Sequence, residues 1–497
     1  MYINNKVLVG KSNDKDLNLL LNMTNRHGLI TGASGSGKTI TLKVIAESLS
    51  EAGVPVFLAD VKGDIAGTCL PGENTNKIQE RLNNLRIDNF EFKGFPIHFW
   101  DVYGKKGHPI RTTIKDVGAT ILSRMLGLTE AQEGVLAIAF KIALDNNLEL
   151  IDLKDLKLLL TYIGEHRKDY LTTYGNITTV SIGTIQRNIL KLESQGGNLF
   201  FGEPSLDIND FIKLNDKNQG YINIMDCVEL FKSPDLYACF LLWLLNKLYV
   251  TLPEVGDLDK PKMVFFFDEA HLLFDDMPSY MLKEVVQVVK LIRSKGIGVF
   301  FISQAPTDIP DSVLSQLSNR IQHALRAYTP AEEKIIKVAA SSFRANSKFK
   351  TEDAISNLAT GEALISFLNE KGEPEIVEKA IILPPQSNMG TIDDSIRLMV
   401  MNNSLYKGKY DTLVDRNSAY EKINAILDNE EKAKEEEIRK KEEEKAKIIK
   451  EKEEEKKKKE QEKKSEKARK KTQRYVDTAV NTATRKVVNS LLKNLFK

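Results

Sequence analysis

The 497-residue sequence predicts an α/β fold in which helices pack on a largely parallel central sheet. A short apolar run, residues 27–30, leads into a glycine-rich loop, and a helix-forming stretch, residues 40–49, follows that loop directly. Further apolar runs alternate with helical segments later in the chain, at residues 54–60, 220–225, 263–267 and 299–302. Such an alternation is typical of buried parallel strands joined by helical crossovers.

The glycine-rich loop fits the pattern G-x-x-x-x-G-K-[ST] at every fixed position. Its residues are Gly32-Ala33-Ser34-Gly35-Ser36-Gly37-Lys38-Thr39. Backbone N–H groups of such a loop surround phosphate oxygens, and the following helix N-terminus adds a partial positive charge. In this motif the lysine contacts the β- and γ-phosphates, and the hydroxyl holds Mg²⁺. We therefore expect Mg²⁺ on Thr39 and a nucleoside triphosphate bound by Gly32, Ser34, Gly35, Ser36, Gly37, Lys38, Thr39 and Ile40.

Two acidic residues, Asp268 and Glu269, follow the five apolar residues 263–267. Because ligands of parallel sheets collect at the carboxyl ends of the strands, we expect both carboxylates to face the glycine-rich loop. Asp268 is suited to bind Mg²⁺, and Glu269 is suited to orient and deprotonate a water that attacks the terminal phosphate. A small-molecule kinase is disfavoured, because transfer to a substrate needs no residue that activates water.

Three further polar residues are candidates for hydrolysis. Gln304 ends the next predicted strand, where its amide can contact the γ-phosphate or the attacking water. We expect one of Arg320 and Arg326 to act in trans, stabilising the charge on the γ-phosphate of a neighbouring subunit. Lys62 lies at the same predicted edge of the sheet, just after Asp60, and the sequence assigns it no role.

The chain divides by composition into an α/β core and several helical parts. The expected parts are a core of residues 1–105 and 216–385, a mostly helical insert of residues 106–215, connecting helices in residues 386–429, a Glu/Lys-rich spacer of residues 430–471, and a basic amphipathic helix of residues 472–497. Within the insert, residues 179–193 have helical spacing. We interpret them as a packing helix rather than a DNA-reading one. Residues 363–367 and 375–382 are expected to form a terminal hairpin.

The net charge of +2 is unevenly distributed along the chain. Residues 430–471 and 472–497 each carry +4, which leaves −6 for residues 1–429. Binding of nucleic acid by residues 1–429 would therefore need a local patch or a lined channel. Three cysteines without a C-x-x-C pair argue against a disulfide framework or a zinc site. Without a long apolar run or a signal pattern, we expect a cytoplasmic protein with no stable membrane insertion.

The C-terminal part has two different patterns. Residues 430–471 lack a seam of a/d hydrophobes, so we expect a solvated single helix or a partly disordered spacer rather than a coiled coil. Residues 472–497 have an apolar stripe at three- and four-residue steps, formed by Val476, Val480, Ala483, Val487, Leu491 and Leu495. Such a stripe fits packing on another subunit, on a partner or on a membrane surface, and we favour protein packing.

Taken together, these motifs resemble the HerA/FtsK superfamily of P-loop ATPases. The resemblance is carried by the glycine-rich loop and by Asp60-x-Lys62-Gly63, Phe267-Asp268-Glu269-Ala270-His271 and Ile302-Ser303-Gln304-Ala305-Pro306. The sequence is most similar to the bacterial HerA-like helicase-domain family, through the segment Asp308-Ile309-Pro310-Asp311 and a short basic C-terminal helix. The resemblance covers nearly residues 1–390, together with residues 473–497.

The resemblance implies a RecA-like core, a homo-hexameric ring and ATP-driven movement on double-stranded DNA. It places Lys38, Thr39, Asp268, Glu269 and Gln304 among the nucleotide residues of that family, and Arg320 at its finger position. The main interpretation is an ATP- and Mg²⁺-dependent, ring-forming DNA translocase or helicase, with a nuclease or effector as a candidate partner. The alternatives are a secretion- or conjugation-type ATPase and a nucleotide-dependent scaffold of a defence or repair complex.

Overall fold

The computed structural model describes residues 1–13, 15–274 and 279–495. The chain divides into two compact units, Met1–Glu421 and Lys422–Lys497. Residues 496 and 497, which end the predicted C-terminal helix, lie outside the described residues. The boundaries proposed from composition inside the first unit stay predictions.

Thirteen strands form one sheet in the described part of the first unit. In chain order they are β1 Tyr2–Ile3, β2 Lys6–Ser12, β3 Lys15–Leu20, β4 Gly28–Thr31, β5 Val56–Asp60, β6 Ile97–Asp101, β7 His108–Pro109, β8 Ile222–Asp226, β9 Met263–Phe267, β10 Ile297–Ser303, β11 Asn319–Gln322, β12 Glu362–Ser366 and β13 Glu378–Ile382. The spatial order is β1-β2-β13-β12-β11-β4-β10-β9-β5-β8-β6-β7, and β3 pairs with β2.

The strands from β11 to β7 in this order pair in parallel, and the remaining strands extend the β11 edge in antiparallel fashion. This arrangement confirms the predicted α/β class with a parallel-rich sheet. Every residue of β5, β8, β9 and β10 is buried, which explains why these strands appear in the sequence as continuous apolar runs. The expected terminal hairpin is also confirmed, because β12 and β13 pair in antiparallel fashion.

Sixteen helices are described, and they cover the sheet or follow it. In chain order they are α1 Lys38–Glu51, α2 Asn76–Leu85, α3 Ile114–Met125, α4 Glu130–Asp145, α5 Leu153–Glu165, α6 Arg167–Tyr174, α7 Thr179–Ser194, α8 Gly197–Phe200, α9 Pro234–Thr251, α10 His271–Phe274, α11 Ser279–Ile292, α12 Asp311–Leu314, α13 Pro330–Ser341, α14 Thr351–Asn357, α15 Asp394–Asn402 and α16 Ala419–Leu495.

Helices α3 to α8 follow one another between β7 and β8. Side chains cap several of their N-termini, as where Asp152 accepts the N–H groups of Lys154 and Asp155 at the start of α5. Helix α7 spans the segment that we interpreted as a packing helix, and it contacts α4 and α5. Its buried residues lie on one face, namely Ser181, Ile182, Ile185, Ile189 and Leu192. That burial is what a packing helix requires.

In the second unit, α16 continues through the Glu/Lys-rich spacer, and its side chains are exposed from residue 431 to residue 492. Ion pairs between residues four apart run along it, including Glu455 with Lys459 and Glu466 with Lys470. Opposite charges four residues apart stabilise a helix, and they favour the helical state of this segment although it has no apolar seam.

Candidate active site

The glycine-rich loop lies between the carboxyl ends of three parallel strands. It follows β4, which pairs with β10 on one side and with β11 on the other. The Gly32 N–H donates to the Gln304 carbonyl (3.2 Å), and the Ala33 N–H donates to the Ala324 carbonyl (2.9 Å). The loop is therefore fixed at its entry by the segments that follow both neighbouring strands.

Glycine is required at Gly37, the residue that caps the N-terminus of α1. Its φ of 118° lies in the left-handed region, where a side chain would strain the backbone. The conformation turns the chain from the loop into the helix, and Lys38 and Thr39 then occupy the first helical turn. The N–H groups of a first turn have no partners within the helix, so they are available to an anion.

Lys38 is buried, and its ammonium lies on the loop itself. Its Nζ donates to the carbonyls of Gly32 (2.6 Å) and Ala33 (3.2 Å). Burial lowers the pKa of Lys38, and the nearby Glu269 carboxylate opposes that effect. Two carbonyl oxygens of the loop thus hold the Lys38 ammonium, and the charges of Asp268 and Glu269 act on it.

His323 supports the loop from below. It is buried, its Nδ1 lies 3.0 Å from the Glu362 carbonyl, and its Nε2 lies 2.9 Å from Thr41 Oγ1. The carbonyl can only accept, so Nδ1 carries the proton and Nε2 accepts from the Thr41 hydroxyl. Burial lowers the pKa of His323 to about 4, and the side chain is neutral at pH 7. The absence of metal-ligand spacing around His323 in the sequence indicated a structural residue, and its contacts with Thr41 and Glu362 were not predicted.

Asp268 follows β9, which lies between β10 and β5, and therefore reaches the same edge of the sheet as the loop. Its Oδ1 accepts the N–H of Glu269 (2.9 Å). Its Oδ2 is buried and has no hydrogen-bond partner among the described residues. Burial, and then the charge of Glu269, raise the pKa of Asp268 to about 7.

Glu269 is buried and adopts a φ of 48°, a left-handed conformation that is uncommon for a residue with a side chain. The next residue, Ala270, donates its N–H to the Ile302 carbonyl of β10 (2.7 Å), which holds this turn against the sheet. The Glu269 Oε1 forms an ion pair with Lys62, and its Oε2 lies 3.3 Å from His271 Nδ1. Burial alone would raise the pKa of Glu269, but Lys62, Lys38 and His271 outweigh it and lower that pKa.

Lys62 is carried by a turn that Asp60 holds in place. The two Asp60 carboxylate oxygens accept the N–H groups of Gly63 (2.7 Å) and Ile65 (3.2 Å). Burial raises the pKa of Asp60 to about 6. The turn projects Lys62 from the end of β5 towards the neighbouring β9. The sequence assigned no role to Lys62, and the structure shows that its ammonium contacts Glu269.

Gln304 follows β10 and is exposed at the loop-facing edge of the sheet. Asp308 fixes the turn around it, since Asp308 Oδ2 accepts the Ser303 hydroxyl (2.6 Å) and the Ala305 N–H (2.8 Å). The Gln304 amide is therefore presented from a rigid turn. Asp308 belongs to the segment that supported the family resemblance, but its capping contacts were not predicted.

The two candidate arginines lie in different environments. Arg320 lies within β11 and donates to three carbonyls of its own chain, those of Leu317 (3.1 Å), Ser342 (3.4 Å) and Leu314 (3.2 Å). Arg326 is exposed, and it donates to the carbonyls of Ser356 and Leu358. Both guanidiniums thus donate to carbonyls of their own chain, and the two side chains differ in exposure, since Arg320 is half-buried and Arg326 is exposed. Which of them acts in trans stays a prediction.

The residues present fit a triphosphate with a divalent cation. A Cβ placed on Gly35 would meet no atom within 4 Å, so the loop faces open space. The unpartnered Asp268 Oδ2 is an oxygen ligand of the type that Mg²⁺ takes. The described residues contain no cluster of three or more metal-binding side chains.

The sequence matches a known family along almost its whole length. The model of the family HerA_C, whose description is helicase HerA-like C-terminal, matches residues 5–497. The chain belongs to this family. The site described above is therefore that of a HerA-like protein with the P-loop ATPase fold.

Curated relatives carry the same family name. The chain is 23% identical over 380 residues to the DNA double-strand break repair helicase HerA of Sulfolobus acidocaldarius, a match that covers 72% of this chain and 66% of the relative. It is 23% identical over 370 residues to the HerA of Saccharolobus solfataricus, covering 72% of this chain and 64% of that relative. The chain therefore spans slightly under two thirds of the length of these relatives.

Among solved structures, this HerA-like chain is similar to the plasmid coupling protein TrwB in complex with a non-hydrolysable GTP analogue. The TM-score is 0.53 at 12% identity, and the alignment covers 79% of this chain and 93% of TrwB. At this identity the likeness concerns the fold. None of the helices in the described residues is both long and apolar enough to cross a membrane.

Proposed function

We propose that this chain is an ATP-hydrolysing motor that moves on double-stranded DNA as a ring of six copies. The observation that carries the proposal is the position of Asp268 and Glu269, which follow β9 at the sheet edge where the glycine-rich loop also opens. Hydrolysis of a nucleoside triphosphate requires at least a loop that binds the phosphates, a Mg²⁺ ligand and a carboxylate that activates water.

In this proposal the loop and α1 bind the phosphates. Lys38 exchanges its two carbonyl partners for the β- and γ-phosphate oxygens, and the free N–H groups at the start of α1 face the same anion. His323 and Thr41 keep the base of the loop fixed during that exchange. Because the loop is already held in place, the free energy of nucleotide binding is not needed to order it and serves to position the phosphates.

Thr39 and Asp268 would hold Mg²⁺ when a nucleotide is bound. When bound, the cation neutralises charge on the β- and γ-oxygens. Burial and the Glu269 charge raise the pKa of Asp268, and its Oδ2 has no hydrogen-bond partner among the described residues. A cation beside it would favour the ionised form.

Glu269 would accept the proton of the attacking water, since its pKa is lowered and its carboxylate is ionised at pH 7. Gln304, held by the Asp308-capped turn, would contact that water or the γ-phosphate. For the arginine from a neighbouring subunit we favour Arg326, because its side chain is exposed whereas that of Arg320 is half-buried.

Movement on duplex DNA is proposed from the family and from the curated relatives, which are named as DNA double-strand break repair helicases. The test is the ATPase rate with and without duplex DNA at low salt, together with a mass measurement of the assembly. Stimulation by duplex DNA in a six-copy assembly supports the motor. A rate that duplex DNA leaves unchanged would favour a secretion-type ATPase or a nucleotide-dependent scaffold.

A further inference from the structure

The carboxylate proposed to activate water is not free in this structure. Glu269 Oε1 forms an ion pair with Lys62, and only 6% of the Glu269 side chain is exposed. A water molecule at Oε1 must compete with this ammonium, whereas Oε2 has no hydrogen-bond partner among the described residues. The ion pair therefore occupies one of the two oxygens through which Glu269 would orient water.

The side chain of Lys62 is half-exposed and has room to rotate, whereas hydrogen bonds hold the backbone turn that carries it. The Lys62 side chain is 44% exposed. Asp60 fixes the turn through two N–H groups, and Gly63 adopts the left-handed φ of 78° that the turn requires. A change of partner for Lys62 therefore involves rotation of a half-exposed side chain on a fixed base.

The alternative partner of Lys62 is the terminal phosphate itself. Lys62 forms an ion pair with Glu269, and the charge of the same carboxylate acts on Lys38, which lies on the glycine-rich loop. Both ammonium groups thus lie near one carboxylate at the sheet edge where the loop opens. A terminal phosphate carries more negative charge than a single carboxylate, and it offers the ammonium several acceptor oxygens. A diphosphate lacks that group and leaves Lys62 with Glu269.

We propose that Lys62 is a triphosphate-responsive positioning residue, which holds Glu269 until a triphosphate binds and then transfers its ammonium to the terminal phosphate. The inference rests on the proposed function of the site, because it states that triphosphate binding comes before Glu269 is able to activate water. Glu269 is released only when its substrate is present, and the two events are linked through one side chain.

The test is a double-mutant cycle on nucleotide affinity. Wild type, Lys62→Ala, Glu269→Gln and the double variant are titrated calorimetrically in Mg²⁺ with ADP and with the non-hydrolysable analogue that has an imido bridge between the β- and γ-phosphorus. The measured quantity is the ratio of analogue affinity to ADP affinity. Since hydrolysis does not enter, the readout is independent of turnover.

Exchange of Lys62 and simple charge screening predict opposite couplings. If Lys62 changes partner, Glu269→Gln frees it, and the affinity ratio rises by about fivefold in the presence of Lys62, the worth of an ion pair with one half-exposed partner. The rise is then smaller in the Lys62→Ala background. If Lys62 only screens Glu269, removal of the carboxylate raises the ratio more when Lys62 is absent. An equal or larger rise in the Lys62→Ala background overturns the proposal.

Two further variants separate this effect from general damage. Lys62→Arg keeps the cation and is expected to retain the ratio, whereas Lys62→Ala lowers it. Lys105→Ala removes the ion pair between Lys105 and Glu229 (2.9 Å), which lies after β6 at the same end of the sheet, and is expected to leave the ratio unchanged.

The failure of the proposed function has a different signature. In that case the wild type binds neither nucleotide, or Lys38→Ala binds both as well as the wild type does. A third outcome is that binding depends on Lys38 but Glu269→Gln raises the affinity ratio equally or more in the Lys62→Ala background. In that case the loop binds nucleotide, and only the role of Lys62 is overturned.

Discussion

His323 Nε2 accepts a 2.9 Å hydrogen bond from the hydroxyl of Thr41, and this buried contact joins the end of β11 to the helix that follows the glycine-rich loop. The other ring nitrogen donates to the Glu362 carbonyl of β12. One imidazole therefore connects three elements around the base of the loop. The stability of the loop and that of the sheet edge are coupled through it.

Loss of this imidazole is expected to weaken the whole first unit. His323→Ala leaves the Thr41 hydroxyl and the Glu362 carbonyl without a partner, at a cost of about 2–4 kcal/mol in the free energy of unfolding. Thr41→Val removes only one of the two bonds and is expected to cost about 1 kcal/mol. Urea denaturation measures both. Equal stability of His323→Ala and the wild type would contradict the supporting role.

The same residue gives the protein a dependence on pH. Burial lowers the pKa of His323 from 6.5 to about 4, so between these values the unfolded chain binds a proton that the folded chain does not. The contribution of His323 to stability is therefore complete above pH 6.5 and is lost as the pH falls towards 4. The stability difference between wild type and His323→Gln is expected to shrink by about 2 kcal/mol between pH 7 and pH 5. Urea titrations at pH 7, 6 and 5 check this, and a constant difference would argue against a buried neutral imidazole.

Glu269→Gln is expected to separate binding from turnover. The amide keeps the size of the side chain but cannot accept the proton of the attacking water, so the ATPase rate falls by about 10²–10⁴-fold. Binding of ATP is retained, because the loop and Lys38 are unchanged. Steady-state hydrolysis and a direct binding titration measure the two effects. An unchanged rate would remove Glu269 from the mechanism.

The two arginines are distinguished by mixing experiments. Arg326→Ala subunits mixed with Glu269→Gln subunits are expected to recover part of the ATPase activity, because some interfaces then combine an intact arginine with an intact carboxylate. Arg320→Ala is expected instead to lower the free energy of unfolding, since its guanidinium binds three carbonyls of its own chain. Recovery with Arg320→Ala and none with Arg326→Ala would reverse this assignment.

The parts of the fold that the sequence could predict are those encoded locally. The strand predicted at residues 263–267 coincides with β9, because a central strand buried on both faces must be apolar throughout. The glycine-rich loop could also be predicted, because its fixed glycines and lysine lie within eight consecutive residues, 32–39. Their arrival at one edge followed from the rule for parallel sheets.

The parts that could not be predicted depend on contacts between distant residues. Strand β11, Asn319–Gln322, has the polar sequence Asn-Arg-Ile-Gln, and its side chains are satisfied by the Met23 carbonyl, by backbone carbonyls near Arg320 and by Thr31. The pairing of Lys62 with Glu269 likewise joins two turns far apart in the chain. No local spacing encodes either arrangement.

The pairing of Ile381 with Lys11 has a consequence for how the chain is made. Among the described strands, β13 alone joins the N-terminal strands β1, β2 and β3 to the rest of the sheet. During synthesis these first strands therefore present an unpaired edge until residues 378–382 have left the ribosome. Pairing across such a sequence separation is slow, and exposed edges invite association with other chains. The nascent protein thus passes through a long interval in which a chaperone has an edge to protect.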